Sequence, residues 1–347
     1  MEPHLNRDPH SKATKQYQYQ VSYTTRDLLL YALGVGCSLP EDIHFLYEGH
    51  PNFAALPTYF LALIFKGTSN EIVPFTPDNV PLVPSGLGIT LTNVFHLSQD
   101  LRVYKPLSCS GGEFTCTTNI QKAFPMGKKG VGIVTQTAYF TATGDKVAES
   151  NSTAYIKGLR EADLQGMKLS TANQTSKADH PQNIALDDSP CVVQTYKTSR
   201  QQAAIYRLSG DYNPMHISTE AAHQAGLLQG PLLHGLCTFG IAARALCQNF
   251  CPGRPDRLIF IQASFSKPVY PGDVLHIRMK KVRRSNSNQD NGVLVLRIAF
   301  DAIVWQKEKI NSDMGENSNV VLKDGMAEIL ADDEKYLETK PALHSKL

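Results

Sequence analysis

The fold class predicted by this 347-residue sequence is α+β, with one design used twice: two tandem units, each an antiparallel sheet wrapped round a buried helix. Three observations carry this. Lys105-Pro106 and Lys267-Pro268 each lead through a turn into a run of alternating residues, ending near Ile120 and Val282. Each run is followed by a second one of period two, over residues 132–143 and 293–305, the pattern of half-buried antiparallel strands. One apolar segment stands upstream in each half, over residues 56–65 and from His234 onward, and each is expected to be the helix its sheet wraps. A helix enclosed by its own sheet is the hot-dog plan, so the whole is a double hot dog.

In chain order, residues 1–16 are polar and are expected to form a disordered tail, and the first unit spans 17–159. Pro57 points to an interrupted helix there, because proline removes a helical hydrogen bond. Residues 160–189 are polar and aperiodic and read as a linker. The second unit spans 190–330, with Ser218 or Thr219 capping a short helix ahead of the long one. Residues 285–292 and 307–319 are polar insertions between strands, and 331–347 form a charged tail.

Composition narrows the function classes. Hydrophobic residues make up 42% and charged residues 19%, as in globular proteins. A net charge of +2 makes no electrostatic case for nucleic acid. Seven scattered cysteines, an odd number without paired zinc-type spacing, argue for reduced thiols in the cell interior. No stretch approaches 18 apolar residues, so no membrane span is expected, and the polar N-terminus does not read as a signal peptide.

The chemistry concentrates in residues 209–216, Ser-Gly-Asp-Tyr-Asn-Pro-Met-His. Gly210 and Pro214 disfavour a regular helix or paired strand, so the segment is a shaped loop. It presents a carboxylate (Asp211), a carboxamide (Asn213) and an imidazole (His216) within six residues. His216 exchanges a proton near neutral pH, and Asp211 can activate a water, so the loop points to acid–base chemistry on water. Asp-x-Asn-Pro is also common turn chemistry; the residues beyond His216 tell the two apart. The first half carries Tyr31-Ala-Leu-Gly-Val-Gly where the second has Tyr206-Arg-Leu-Ser-Gly-Asp, and it lacks the Asp-x-Asn-x-x-His set. One unit therefore keeps the chemistry.

The run from Tyr206 to His216, together with Leu-His-Gly-Leu-Cys-Thr-Phe-Gly over residues 233–240, resembles the signature of the MaoC-like type-2 enoyl-CoA hydratases. The resemblance covers about residues 17–330 and implies the double hot dog, a hydro-lyase and an enoyl-CoA substrate; linked dehydrogenase domains occur in the wider family, but with no GxGxxG fingerprint here a stand-alone hydratase is expected, with no cofactor or metal. It implies that Asp211 and His216 share one water, that Asn213 orients it, and that the Gly235 N–H holds the developing enolate. His234 beside it is expected to satisfy a buried bond rather than to act catalytically. The resemblance also places substrate contacts at His96, Leu97, Lys129, Tyr212, Pro214, Met215 and Phe265; Leu97 departs from the family's glycine. Lys128 and Lys267 are candidate phosphate neighbours. The first half is expected to widen the acyl tunnel through apolar residues such as Leu61, Leu63, Ile64 and Phe65. The (3R) stereochemistry of the product likewise comes from the resemblance alone. An acyl-CoA thioesterase and a non-enzymatic acyl-CoA binder are the alternatives, neither of which needs the complete loop. The oligomeric state stays open, a homodimer being one candidate. Ser345-Lys346-Leu347 reads as a peroxisomal import signal, implying an import receptor as partner and the peroxisomal matrix as address.

Overall fold

The computed structural model describes residues 16–75, 89–127, 130–160, 163, 192–282, 294–304 and 319–331. The tail 332–347, nearly all of the linker 160–189, most of the two insertions and all but the last residue of the tail 1–16 lie outside them. That last residue, Gln16, already pairs with Asn119.

Ten antiparallel strands form one sheet. The first five are β1 (Gln16–Tyr23), β2 (Val94–Val103), β3 (Gly112–Pro125), β4 (Gly130–Phe140) and β5 (Lys146–Lys157). The second five are β6 (Val192–Lys197), β7 (Leu258–Phe265), β8 (Val274–Val282), β9 (Val295–Val304) and β10 (Val320–Leu330). Their order is β1-β3-β4-β5-β2-β7-β10-β9-β8-β6. Read outward from the middle, the two halves run 2-5-4-3-1 and 7-10-9-8-6, the same order five strands apart. The repeat inferred from Lys105-Pro106 and Lys267-Pro268 is thus a repeat of topology. The halves join through β2 and β7, from Ser98 opposite Ser264 to Arg102 opposite Phe260.

The helices differ sharply between the halves. In the second, α6 (Gly235–Phe250) begins where its apolar run begins and buries 13 of its 16 residues, so it must be enclosed on all sides. In the first, a 3-10 turn over Pro57–Tyr59 leads into α3 (Phe60–Lys66), the interruption that Pro57 predicts. Before it, α1 (Thr25–Gly34) starts on a capping box between Thr24 and Asp27. It lies against α4 (Gln202–Tyr206), with the Tyr31 and Tyr206 rings 5.9 Å apart. α1 also approaches α6 closely: a Cβ on Gly240 would stand 2.5 Å from Val35 Cγ1 and 2.9 Å from Tyr31 Oη. One apolar cluster runs through both units, from Val21 and Phe60 to Phe239 and Phe300.

A buried ion pair fastens the first unit to α6. Asp42, at the start of α2 (Ile43–Leu46), accepts from Arg244 Nη2 at 2.6 Å, from Gln248 Nε2 at 2.6 Å and from the Ser38 N–H at 2.9 Å. Both charged groups are buried, so each needs the other. Asp42→Ala leaves the buried Arg244 guanidinium without its carboxylate, and is expected to cost about 3–5 kcal/mol in denaturant unfolding. A loss under about 1 kcal/mol would show that water reaches the guanidinium.

Candidate active site

The segment that joins α4 to the long helix is built from tight turns. α4 tightens into a 3-10 turn over Arg207–Ser209, and Gly210 comes next with φ of +130°. A Cβ there would stand 2.6 Å from the main-chain nitrogen of Lys66, at the end of α3, so both conformation and space require glycine. A second 3-10 turn, Pro214–His216, is capped by Asn213, whose Oδ1 accepts the Met215 N–H at 3.1 Å. The carboxamide oxygen is therefore committed to the turn, and its NH2 group is what remains for a ligand. Asp211 Oδ1 accepts the Asn213 N–H at 3.2 Å, which fixes the carboxylate beside the turn. Ser218 then caps α5 (Thr219–Gln224) by accepting the Ala221 N–H at 3.2 Å.

The histidine tautomers are set by their partners. His216 Nδ1 lies 2.9 Å from the Leu232 carbonyl oxygen, which only accepts, so Nδ1 carries the hydrogen and Nε2 presents a lone pair. His234 Nε2 lies 3.2 Å from the Asp211 carbonyl oxygen and donates to it, the buried bond expected of this residue. Its Nδ1 is buried with no protein partner. The two rings stack 3.7 Å apart at 27°. Nitrogen lone pairs lie in the ring planes, so stacked rings aim them side by side rather than at one point. One carboxylate oxygen of Asp211 and one ring nitrogen each of His216 and His234 lie within 4.8 Å of one another. Two partners of one water, each about 2.8 Å from it, stand at such a spacing.

Burial dominates the electrostatics. It raises the Asp211 carboxyl above the usual carboxylate range, against the pull of His216, the Asn213 N–H and Arg207. It lowers the His216 imidazole, against the pull of Asp211 and the bond to Leu232. His234 is driven down further, by burial first and by His216 second. His96 is lowered to about 4, again by burial.

These groups open on a cavity of about 350 Å³. The second unit supplies Asp211, Asn213, Met215, His216, Gly235 and Phe265 to its wall. The first supplies Phe65, Phe75, Val94, Phe95, His96 and Leu97. His96 reaches the Ser152 hydroxyl at 3.4 Å and packs on Phe265, with ring centroids 4.7 Å apart. Gly235 is the first residue of α6, where the N–H has no acceptor within the helix. A Cβ on it would press the Phe265 ring at 3.2 Å.

Not every expected contact falls here. Tyr212 lies outside the cavity wall, with the Arg207 guanidinium 5.1 Å above its ring, and Pro214 is exposed. Of the first unit's apolar residues Phe65 lines the cavity, whereas Leu61 and Leu63 are buried core. Lys267 lines the cavity; Lys128 and Lys129 lie outside the described residues. Sequence reasoning missed Phe75, Val94 and Phe95, and also Leu232, Val321 and Leu322 of the second unit. Each is apolar, so nothing in its residue type separates a ligand wall from a core.

Comparison with known proteins adds two family matches, a MaoC like domain over residues 182–299 and an MFE-2 hydratase 2 N-terminal domain over 21–158. The mouse peroxisomal multifunctional enzyme type 2 is 35% identical over 76% of this chain, which spans 33% of that protein's length. The probable enoyl-CoA hydratase 2 of Dictyostelium discoideum is 30% identical over 80% of this chain and 90% of its own. A MaoC-like dehydratase from Phytophthora capsici superposes with a TM-score of 0.71 at 33% identity, covering 92% of this chain and 96% of that one.

The electrostatic picture is open to titration. With burial as the largest influence, His216 is expected to stay neutral at pH 6.5 and to gain a proton only below it. Ring signals tracked by NMR across pH 4–8 check this, and a His216 midpoint at or above the ordinary histidine value would contradict it.

Proposed function

The chain belongs to the MaoC-like hydratase 2 family, and from that premise we propose that it adds water to a trans-2-enoyl-CoA, giving the (3R)-3-hydroxyacyl-CoA in peroxisomal fatty-acid β-oxidation. The observation that carries the reading is the meeting of Asp211 and His216 at one water's spacing, on the wall of a cavity that also includes the start of α6.

The free atoms define the chemistry. The reacting water sits between the Asp211 carboxylate and the His216 Nε2 lone pair, with the Asn213 NH2 group alongside. As its oxygen bonds to C3, the pair takes one proton from it, and the pair delivers one proton to C2. The electrons of the double bond pass meanwhile to the thioester oxygen. Negative charge there meets the Gly235 N–H, favoured by the helix dipole. One such donor contributes roughly 3–4 kcal/mol in comparable sites. The acyl chain lies toward the apolar wall of the first unit, at Phe65, Phe75 and Val94. The (3R) configuration rests on the family resemblance, since the geometry alone does not say which face of the alkene meets the water.

Asp211→Asn and His216→Ala are each expected to cut turnover by at least about 10²-fold while leaving the fold intact. Loss of enoyl absorbance without release of free thiol marks hydration. Free thiol would make the protein a thioesterase, binding without either would make it a carrier, and a mainly (3S) product would overturn the stereochemistry.

The address is proposed from relatives named as peroxisomal enzymes, and the tripeptide Ser345-Lys346-Leu347, outside the described residues, is the part of this chain to test. A fluorescent fusion at the N-terminus should collect in peroxisomes with these residues present and spread through the cytosol when they are deleted. Diffuse signal from the intact fusion would refute import.

A further inference from the structure

His234 does more than satisfy its own burial. We infer that it is a positioning residue for the hydration: its Nε2–H holds the main-chain carbonyl of Asp211 while its ring backs that of His216, so one side chain sets both partners of the water. This rests on the hydratase reading and extends it.

The loop needs a restraint close to its carboxylate. Gly210, just before Asp211, adopts φ of +130°; the Asn213 N–H holds the Asp211 side chain, and a pin on the Asp211 main chain comes from outside the loop. The pin is the bond from His234 Nε2 to the Asp211 oxygen, 3.2 Å long. The donor is itself immobile. His234 is 1% exposed and immediately precedes α6, the buried helix. Its ring lies between Tyr206, 4.8 Å away, and His216, 3.7 Å away. His216 in turn has its Nδ1 tied to Leu232, so the stacked ring and that bond leave it little freedom.

The protonation state fits the role. The charged and titratable groups acting on His234 are His216, Arg207 and Asp211. Burial, His216 and Arg207 all oppose a second proton, so the ring stays neutral with its hydrogen on Nε2. A cation there would face His216 across the stack and discourage it from accepting the water's proton.

The next residue is Gly235. The clamp on the acid–base pair and the N–H facing the thioester oxygen therefore come from adjacent residues at the start of one helix. Both ends of the reaction are thus held from the start of one helix.

Three variants of the full chain separate this from a merely structural role, assayed with trans-2-hexenoyl-CoA. Gln at 234 places its amide nitrogen near the position of Nε2 and keeps the donor. Asn reaches only the position of Nδ1, and Phe keeps the ring alone. His234→Asn and His234→Phe are expected to lose about 10²-fold in kcat, with KM within about threefold of the parent. His234→Gln is expected to stay within about tenfold. The ring signals of His216 give a readout independent of turnover: unchanged in the Gln variant, displaced in the Asn variant. Equal losses in all three variants, no loss in any, or a His216 signal indifferent to Asn overturns the inference. If the parent does not hydrate enoyl-CoA, the hydratase reading fails, while the His216 signals still decide whether His234 positions that ring.

Discussion

The pairing of β2 with β7 is the interaction on which the rest of the molecule depends. Five residue pairs, Ser98–Ser264 through Arg102–Phe260, turn two five-strand sheets into one. Their register also decides what faces the substrate. His96 and Leu97 lie just before the first pair on β2, and Phe265 lies just after it on β7. The cavity therefore opens at the end of the seam, with the His96 ring of one unit against the Phe265 ring of the other. A slip of one residue would turn each of these side chains to the opposite face.

The two units divide their labour by what each does with its helix. In the second, α6 runs 16 residues through the core and fills its sheet. In the first, α3 has 7 residues and stops at Lys66. The shorter helix leaves the far end of its sheet to a separate apolar cluster that includes Ile133 and Ile156, with Phe65 and Phe75 packed against it. The latter two also line the cavity. The same helix end meets Gly210 of the 209–216 loop. A unit without the Asp-x-Asn-x-x-His set thus shapes the site twice, as wall and as support.

How much of this is legible in the sequence depends on residue chemistry. The loop at 209–216 and the start of α6 stand out because the two segments together carry a long ordered motif, whereas Asp-x-Asn-Pro alone would read as a turn. The runs that form β3, β4, β8 and β9 alternate visibly. By contrast β5 gives little sign of itself, because its buried face carries Ser150 and Ser152, so its inward and outward residues differ little in polarity. The same polar band continues on neighbouring strands, where Thr118 and Thr137 share a hydrogen bond of 2.9 Å. Alternation is a contrast of polarity, and a sheet that buries hydroxyls loses it. Tyr212 and Pro214 enter the expected site through their place in the motif. The 3-10 turn at Pro214–His216 instead leaves Pro214 to solvent, and Tyr212 lies beneath Arg207.

Burial does something further to the acid–base pair. A carboxylate and an imidazole in water differ in proton affinity by more than about two pKa units, so a proton moving between them is strongly biased. Here desolvation disfavours both charged forms: it lifts Asp211 and depresses His216, bringing the two affinities together. Each group is drawn back part of the way by the other, which limits the shift without reversing it. The narrower the gap between the two affinities, the less it costs to pass a proton between the two groups. The proposed hydration asks for that property, since one proton would leave the water and one would reach the neighbouring carbon within the same turnover. The half-buried Asp211 and the buried His216 share one cavity wall with Phe65, Phe75 and Val94, so the surroundings that would take an acyl chain are also those that desolvate the pair.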